Sequence, residues 1–436
     1  MEKISKKKVL NTCNLAFAFW LAIMPVLCIV VGIFMPFRLD TQIRLFAIFY
    51  AIYLFVLVVL NLSKINWKEF VKRISSFPMI IAVLLFLWVS LSSVFNHGLN
   101  ADLINYLSYF LVYICIRSLD KSKFKTLLYV FTSVMLVSVM LSLVFPNDPN
   151  FPGLLFNPLG GYSMQFVNPN YSAYVVATLI VVCLATFHNS ESLPSNIFFS
   201  TSFYIFSWWL YCNGSFVPIA TVYLFSFIMI VYYWIKEKKC PAVLVIMFVV
   251  LIPMSFAVDA CPWWTIHRNT SVSFLRECIA VFDNLFHTNI GSESVAGADG
   301  WGRAELVTNT LKAIFANANS LFLGYGAGSF NTYRPHMHLV ALWVDFGMFA
   351  PLFYVIICIW TVIQYIKSKC EEGALPFFFG LLAFFVMSFF GSMSCYSFIY
   401  VVPLFAICHT YIKGSTFSSS SQEKQEDLLE SKTKLV

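Results

Sequence analysis

Charge is what this chain has least of. Asp, Glu, Lys and Arg make up 11% of its 436 residues, where a soluble domain carries about 25%. No Gly-rich loop is followed by Lys and Ser or Thr, so there is no nucleotide-binding loop of that kind. No stretch alternates apolar and polar residues as a barrel strand does, and no segment repeats at a fixed period. The twelve cysteines show no metal-ligand spacing and mostly lie inside apolar runs, where Cys acts as a small apolar residue. Carboxylates form no cluster. The net charge of +7 does not point to nucleic acid, because the basic residues sit in short runs between apolar segments.

What is abundant is apolar surface. Hydrophobic residues make up 59% of the chain and Phe alone appears 47 times. A soluble core cannot absorb that much, whereas a bilayer can. The expected fold is an all-α polytopic membrane protein of about twelve transmembrane helices with one large external loop containing short helices. The spans fall at 15–35, 42–62, 78–95, 101–117, 126–145, 170–187, 196–212, 215–235, 241–258, 338–366, 374–391 and 396–412. Most reach the roughly 17–25 residues needed to cross a hydrocarbon core of about 30 Å as helix. Only Asn213 and Gly214 separate the seventh from the eighth, so those two are either separate helices or one long broken one.

Orientation follows from Lys and Arg, which favour the cytoplasmic side. With the N-terminus inside, the cytoplasmic segments hold Lys3, Lys6, Lys7 and Lys8; Lys64, Lys68, Lys72 and Arg73; and Arg117, Lys121, Lys123 and Lys125. They also hold Lys236, Lys238 and Lys239; Lys367 and Lys369; and Lys413, Lys424, Lys432 and Lys434 in the tail. That is 21 of 28 basic residues, with Arg38 and Arg44 as mild exceptions near a short outer loop. The first span has a basic leader but no small-residue cleavage site, and reads as a retained anchor. The organisation is then helices one to nine over 1–258, an external loop over 259–337, helices ten to twelve over 338–413, and a disordered cytoplasmic tail over 414–436. An inner bacterial membrane with both termini cytoplasmic is the expected location.

The external loop carries the polar interest, and in a membrane protein that is where function is sought. Cys261 and Cys278 both fall in it and can pair if it faces an oxidising compartment. Gly302 to Ala316 has Leu306, Thr310, Leu311 and Ile314 on one face, the pattern of an amphipathic helix that lies on the membrane or caps the bundle. Gly324, Gly326 and Gly328 form a turn that either lets backbone approach something closely or ends a helix. Tyr333, Arg334, Pro335, His336 and His338 follow at the mouth of the tenth span. A guanidinium grips phosphate oxygens at two points, which suits Arg303 and Arg334 to a lipid pyrophosphate. An imidazole titrating near neutrality accepts a proton from a sugar hydroxyl, which suits His336.

These elements resemble the bacterial O-antigen ligase and O-antigen polymerase superfamily of membrane glycosyltransferases. The resemblance rests on Gly302-Arg303, Gly324-Tyr325-Gly326, and His336 with Gly347 eleven residues on. Asp345 stands at a commonly acidic position, and Asn168-Pro169-Asn170 matches an element at the start of the sixth span. The topology agrees over nearly the whole chain. The resemblance implies a metal-independent transfer on the periplasmic face, from an undecaprenyl-pyrophosphate-linked glycan donor to lipid A-core or a lipid-linked glycan acceptor. It implies catalytic roles for His336 and Arg303, and substrate binding by Arg334, His338, Arg268, Arg276 and Asn170. The family often carries Ser-Arg near the outer end of a central span; here Gly214-Ser215-Phe216 stands there, with Phe216 in place of Arg, so either Arg268, Arg276 or Arg334 substitutes or the donor is held differently. The short outer segment 146–169 favours the ligase over the polymerase, which commonly has two sizeable outer loops. An oligosaccharyltransferase acting on protein hydroxyls belongs to the same class. A lipid-linked glycan flippase is the reading from another class, and would be expected to line a cavity within its spans with charge.

Overall fold

A computed structural model describes residues 77–97, 110, 113, 122–144, 169–190, 192–261, 300–326, 337–367, 372–391 and 395–411. These residues are helical apart from turns, with no strand among them. Twelve helices are described: α1 (Phe77–His97), α2 (Ser122–Val144), α3 (Pro169–His188), α4 (Leu193–Asn213), α5 (Phe216–Glu237), α6 (Ala242–Ala260), α7 (Gly300–Ile314), α8 (Ala318–Phe322), α9 (His338–Phe346), α10 (Phe349–Lys367), α11 (Leu375–Phe390) and α12 (Cys395–Tyr411). Three segments, Phe77–Asn96, Phe216–Glu237 and Phe349–Lys367, are long and apolar enough to cross a membrane. Shorter apolar helices run over Phe124–Val137, Ser172–His188, Ala242–Val258 and Leu375–Phe390. The spans expected at 15–35 and 42–62, and all of 101–117 except Phe110 and Tyr113, lie outside the described residues.

Two expectations about the spans are resolved. The seventh and eighth are separate helices, because Gly214 adopts φ 76° and closes α4 with its N–H on Leu210 O at 3.1 Å. A left-handed residue at this position is what glycine supplies at little cost. The run expected as one helix over 338–366 is instead two. α9 stops at Phe346, Gly347 takes φ 76°, and α10 begins at Phe349. Elsewhere the chain marks its helix starts with ordinary chemistry. Ser192 caps α4 by accepting from Ser195 N at 3.3 Å, with Pro194 in the first turn, where its missing N–H is harmless.

The bundle is built around α3, in which every residue from Ser172 to Ala185 is buried. α4, α5, α11 and α12 surround it. Directions follow from pairs of contacts. Tyr129 stacks 5.0 Å from Phe199 while Trp209 Nε1 donates to Ser142 Oγ at 3.2 Å, so α2 and α4 run parallel. Phe77 meets Trp360 at 5.5 Å and Trp88 meets Phe349 at 4.7 Å, so α1 and α10 are antiparallel. His188 Nε2 lies 2.7 Å from Glu237 Oε1, joining the C-terminal ends of α3 and α5. One end of the bundle thus gathers Phe77, Phe124, His188, Glu237 and Tyr411. Lys125, Lys236, Lys238, Lys239 and Lys367 are exposed at that end. The other gathers Asn96, Asn213, Gly391 and residues 318–326 and 337–348.

Close packing against α3 depends on glycine. A Cβ at Gly380 would sit 2.4 Å from Val182 Cγ2. Overpacking a core costs about 1–3 kcal/mol, whereas replacing a helical Gly by Ala gains up to about 1 kcal/mol of propensity. Gly380→Ala is therefore expected to lower the melting temperature of the purified protein in detergent. An unchanged or raised value would mean that α3 and α11 separate freely at this point.

Candidate functional site

The 300–326 segment and the interrupted run 338–366 meet at one junction. α7 ends at Ile314, Asn317 caps the short α8 by accepting from Ser320 N at 2.8 Å, and Gly324 follows with φ 74°. The chain then lays the turn Gly324-Tyr325-Gly326 along the end of α9. Tyr325 N donates to Val344 O at 2.8 Å and Gly326 N to Asp345 O at 2.8 Å. In return Met348 N donates to Leu321 O at 3.0 Å, and Trp343 Nε1 reaches the same carbonyl at 3.1 Å. Each helix end normally leaves four carbonyls or amides unpaired. Here the ends of α8 and α9 satisfy part of that need on one another.

Both helix-ending glycines are required by contact as well as by φ. A Cβ on Gly324 would lie 2.6 Å from Gly347 N and 2.7 Å from Asp345 O. One on Gly347 would lie 1.8 Å from Phe322 O. Of the two expected roles for the glycine turn, close backbone approach and helix termination, Gly324 performs both.

A small apolar core seats the junction. Ile314, Val340 and Val344 are buried, with Leu311, Leu321, Tyr325, Met337 and Trp343 packed against them. Tyr325 OH donates to Ala313 O at 3.0 Å and Ser320 Oγ to Ile314 O at 2.9 Å, tying α7 to the turn. The expected amphipathic helix is therefore present, two residues earlier than its sequence bounds, and its Thr310–Ile314 face packs onto α9 as a cap.

The helix α1 grips this junction from the bundle side. Ser92 Oγ donates to Leu323 O at 2.5 Å, and Asn96 Nδ2 approaches the same oxygen at 3.4 Å. Trp88 Nε1 donates to Phe346 O at 2.8 Å. Trp88, Ser92 and Asn96 recur every four residues and so share one helix face. Sequence reasoning missed them, although polar side chains at that spacing inside an apolar run were the available signal.

The expected site residues distribute unevenly over this frame. His338 opens α9, is 2% exposed, and meets the Tyr354 ring edge-to-face at 5.4 Å. Such burial makes it a packing contact between α9 and α10. Arg303 lies on the first turn of α7 and Asn170 on the first turn of α3. Asp345 is half-buried beside the glycine turn, and Phe216 is the first residue of α5. Beside Phe216, Ser215 donates a hydrogen bond to Asn213 Oδ1. His336, Arg334, Arg268, Arg276 and Cys278 lie outside the described residues.

A second buried histidine escaped the sequence reading. His409 is fully enclosed, with Tyr113 OH 2.6 Å from Nδ1 and Thr361 Oγ1 2.7 Å from Nε2. Thr361 Oγ1 also donates to Ile357 O at 2.6 Å. These contacts fix the His409 ring at the end of the bundle opposite the glycine junction. Among the described residues no group of three or more His, Cys, Asp or Glu is placed to hold a metal ion.

No protein-family model matches the chain, and no curated protein matches it.

Proposed function

We propose that this protein is an O-antigen ligase-like glycosyltransferase. It would move a glycan from undecaprenyl pyrophosphate to lipid A-core at the periplasmic face of an inner membrane, with both termini cytoplasmic. The observation that carries the reading is the contact between Gly324-Tyr325-Gly326 and the α9 end at Val344, Asp345 and Gly347. Two motif elements that prompted the resemblance, far apart in sequence, are neighbours in space. His336, one residue before Met337 in the same small core, belongs to the chain that enters α9 there.

The chemistry is a displacement at the sugar's anomeric carbon. The acceptor hydroxyl oxygen forms the new C–O bond and His336 takes its proton. The bond to the pyrophosphate oxygen breaks, and Arg303 offsets the negative charge that the departing lipid pyrophosphate gains. Arg334, with Arg268 or Arg276, would hold the donor's phosphates. The full set of twelve spans and the external placement of 259–337 are part of the proposal. Their support is the sorting of helix ends, with Lys125, Lys236, Lys238, Lys239 and Lys367 together at one end and the glycine junction at the other.

Polymerisation of lipid-linked repeats shares this donor and chemistry and is the alternative. A flippase fits less well: among the described residues no Asp, Glu, Lys or Arg is buried within the bundle. Surface lipopolysaccharide from a deletion strain, run on a gel, separates the outcomes. Bare core with accumulated lipid-linked polymer is expected. Core bearing a single repeat would replace the ligase by the polymerase, and an unchanged ladder would remove O-antigen assembly altogether.

A further inference from the structure

We infer that Trp88, Ser92 and Asn96 of α1 are positioning residues for the transfer site, holding the junction of α8, α9 and the glycine turn in its working geometry. The inference deepens the glycosyltransferase reading and rests on it for its catalytic half. The structural half stands on three hydrogen bonds. Leu323 and Phe346 each end a helix, so their carbonyls have no partner within that helix. Both are met by side chains from α1: Leu323 O by Ser92 at 2.5 Å and Asn96 at 3.4 Å, Phe346 O by Trp88 at 2.8 Å.

The location of these donors decides what they do. Leu323 immediately precedes Gly324, and Phe346 immediately precedes Gly347, the two residues whose backbones touch. The clamp therefore acts on both sides of the contact that joins the motif elements. Ser92 is fully buried and Trp88 half-buried. Buried hydrogen bonds of this kind fix geometry, because leaving a carbonyl unmet without water is costly. Asn319 Nδ2 adds a longer approach to Asn96 Oδ1, at 3.5 Å, from α8 itself. Since α1 also packs along α10 through Phe77–Trp360 and Trp88–Phe349, the external segment is referenced to two helices of the bundle at once. Catalysis depends on such referencing, as a displacement of about 1 Å can cost about a hundredfold in rate.

Ser92→Val and Ser92→Thr test this with side chains of the same shape that differ in the hydroxyl. Full-length proteins in lipid nanodiscs would be compared with wild type by amide hydrogen exchange over 318–326. Glycan transfer would be assayed from a lipid pyrophosphate donor to a lipid A-core acceptor. Ser92→Val is expected to speed exchange at Tyr325 and Gly326 at least tenfold and to lower kcat about tenfold, with donor KM within twofold. Ser92→Thr should restore both. Unchanged exchange in Ser92→Val overturns the clamp, as does a Ser92→Thr variant as impaired as Ser92→Val. Faster exchange with unaltered kcat overturns the positioning role. If wild type transfers no glycan, the glycosyltransferase reading fails and the positioning role with it. The exchange pattern then still decides the clamp, faster exchange restored by Thr upholding it.

Discussion

Gly347→Ala is expected to undock the 300–326 segment from the end of α9 and, on the proposed glycosyltransferase reading, to abolish transfer. At φ 76° and ψ 178° the residue occupies a backbone region that is nearly exclusive to glycine, where another residue costs of order 1–3 kcal/mol. The larger effect is steric. The added Cβ would sit 1.8 Å from Phe322 O, 2.3 Å from Phe322 C and 2.7 Å from Leu323 N, all backbone atoms. Backbone cannot rotate aside as a side-chain tip can, and Leu323 is already held by Ser92. Relief requires α8 and the glycine turn to leave the end of α9. That breaks the bonds from Tyr325, Gly326 and Met348 and opens the core of Ile314, Val340 and Val344. Losses on the order of 4 kcal/mol or more arise from such combined clashes. The packing of α3 with α4, α5 and α11 involves none of these atoms, so the bundle should persist. Limited proteolysis would show new cleavage between residues 300 and 337 with the remaining helices intact. A wild-type digestion pattern would mean that the backbone contact at Gly347 is not as close as described.

His336→Ala and His338→Ala are expected to fail in opposite ways, and the contrast is the second large effect. Removal of a general base typically costs about 10²–10⁴ in rate. His336→Ala should therefore leave bare lipid A-core on a gel while the amount of protein in the membrane stays at wild-type level. His338 is buried at 2% exposure against Tyr354. Its truncation opens a cavity at the α9–α10 contact, and large-to-small changes in a core cost about 2–5 kcal/mol. His338→Ala should lower the folded amount and the melting temperature, and activity per folded molecule should change little. Normal lipopolysaccharide with His336→Ala would strike that residue from the mechanism. A well-folded, inactive His338→Ala would move the catalytic role to the neighbour.

Much of the frame was legible because membrane solvation simplifies the code. A segment such as Phe216–Glu237 is apolar over a bilayer's thickness, and nothing but a helix satisfies its backbone there. The ends were legible too, as Lys236, Lys238 and Lys239 mark where α5 stops. The break at Gly347 was not, because an apolar run reads the same whether or not one glycine inside it takes a positive φ. Only the approach of Phe322 from α8 dictates that conformation. For the candidate site, the glycine turn and Gly347 stood out in sequence, but that they touch did not. The packing of His338 was hidden for a related reason. A histidine at a loop–helix junction looks available until Tyr354, sixteen residues on, closes over it. Ser92 and Asn96 were hidden by chemistry that is ordinary in a helix, since a hydroxyl or amide in a span commonly bonds its own preceding turn. Ser90 does so here, donating to Phe86 O at 2.8 Å.

The enclosure of α3 bears on how the protein is made. From Ser172 to Ala185 it shows no face to the surroundings of the bundle, yet a newly synthesised helix enters lipid one segment at a time, before most of its neighbours exist. On the proposed twelve-span topology, a helix destined for the centre must first survive as a passenger in hydrocarbon, and the mostly apolar run Ser172–His188 could wait there. Ala173, Ala177 and Ala185, small and fully buried, then let later helices close around it. Once enclosed it no longer senses the thickness or composition of the bilayer, and adjustment to mismatch falls to outer helices such as α1 and α10, whose Leu84, Leu91, Leu352 and Ile359 are exposed. On that topology the central helix is solvated by lipid in its youth and by protein thereafter.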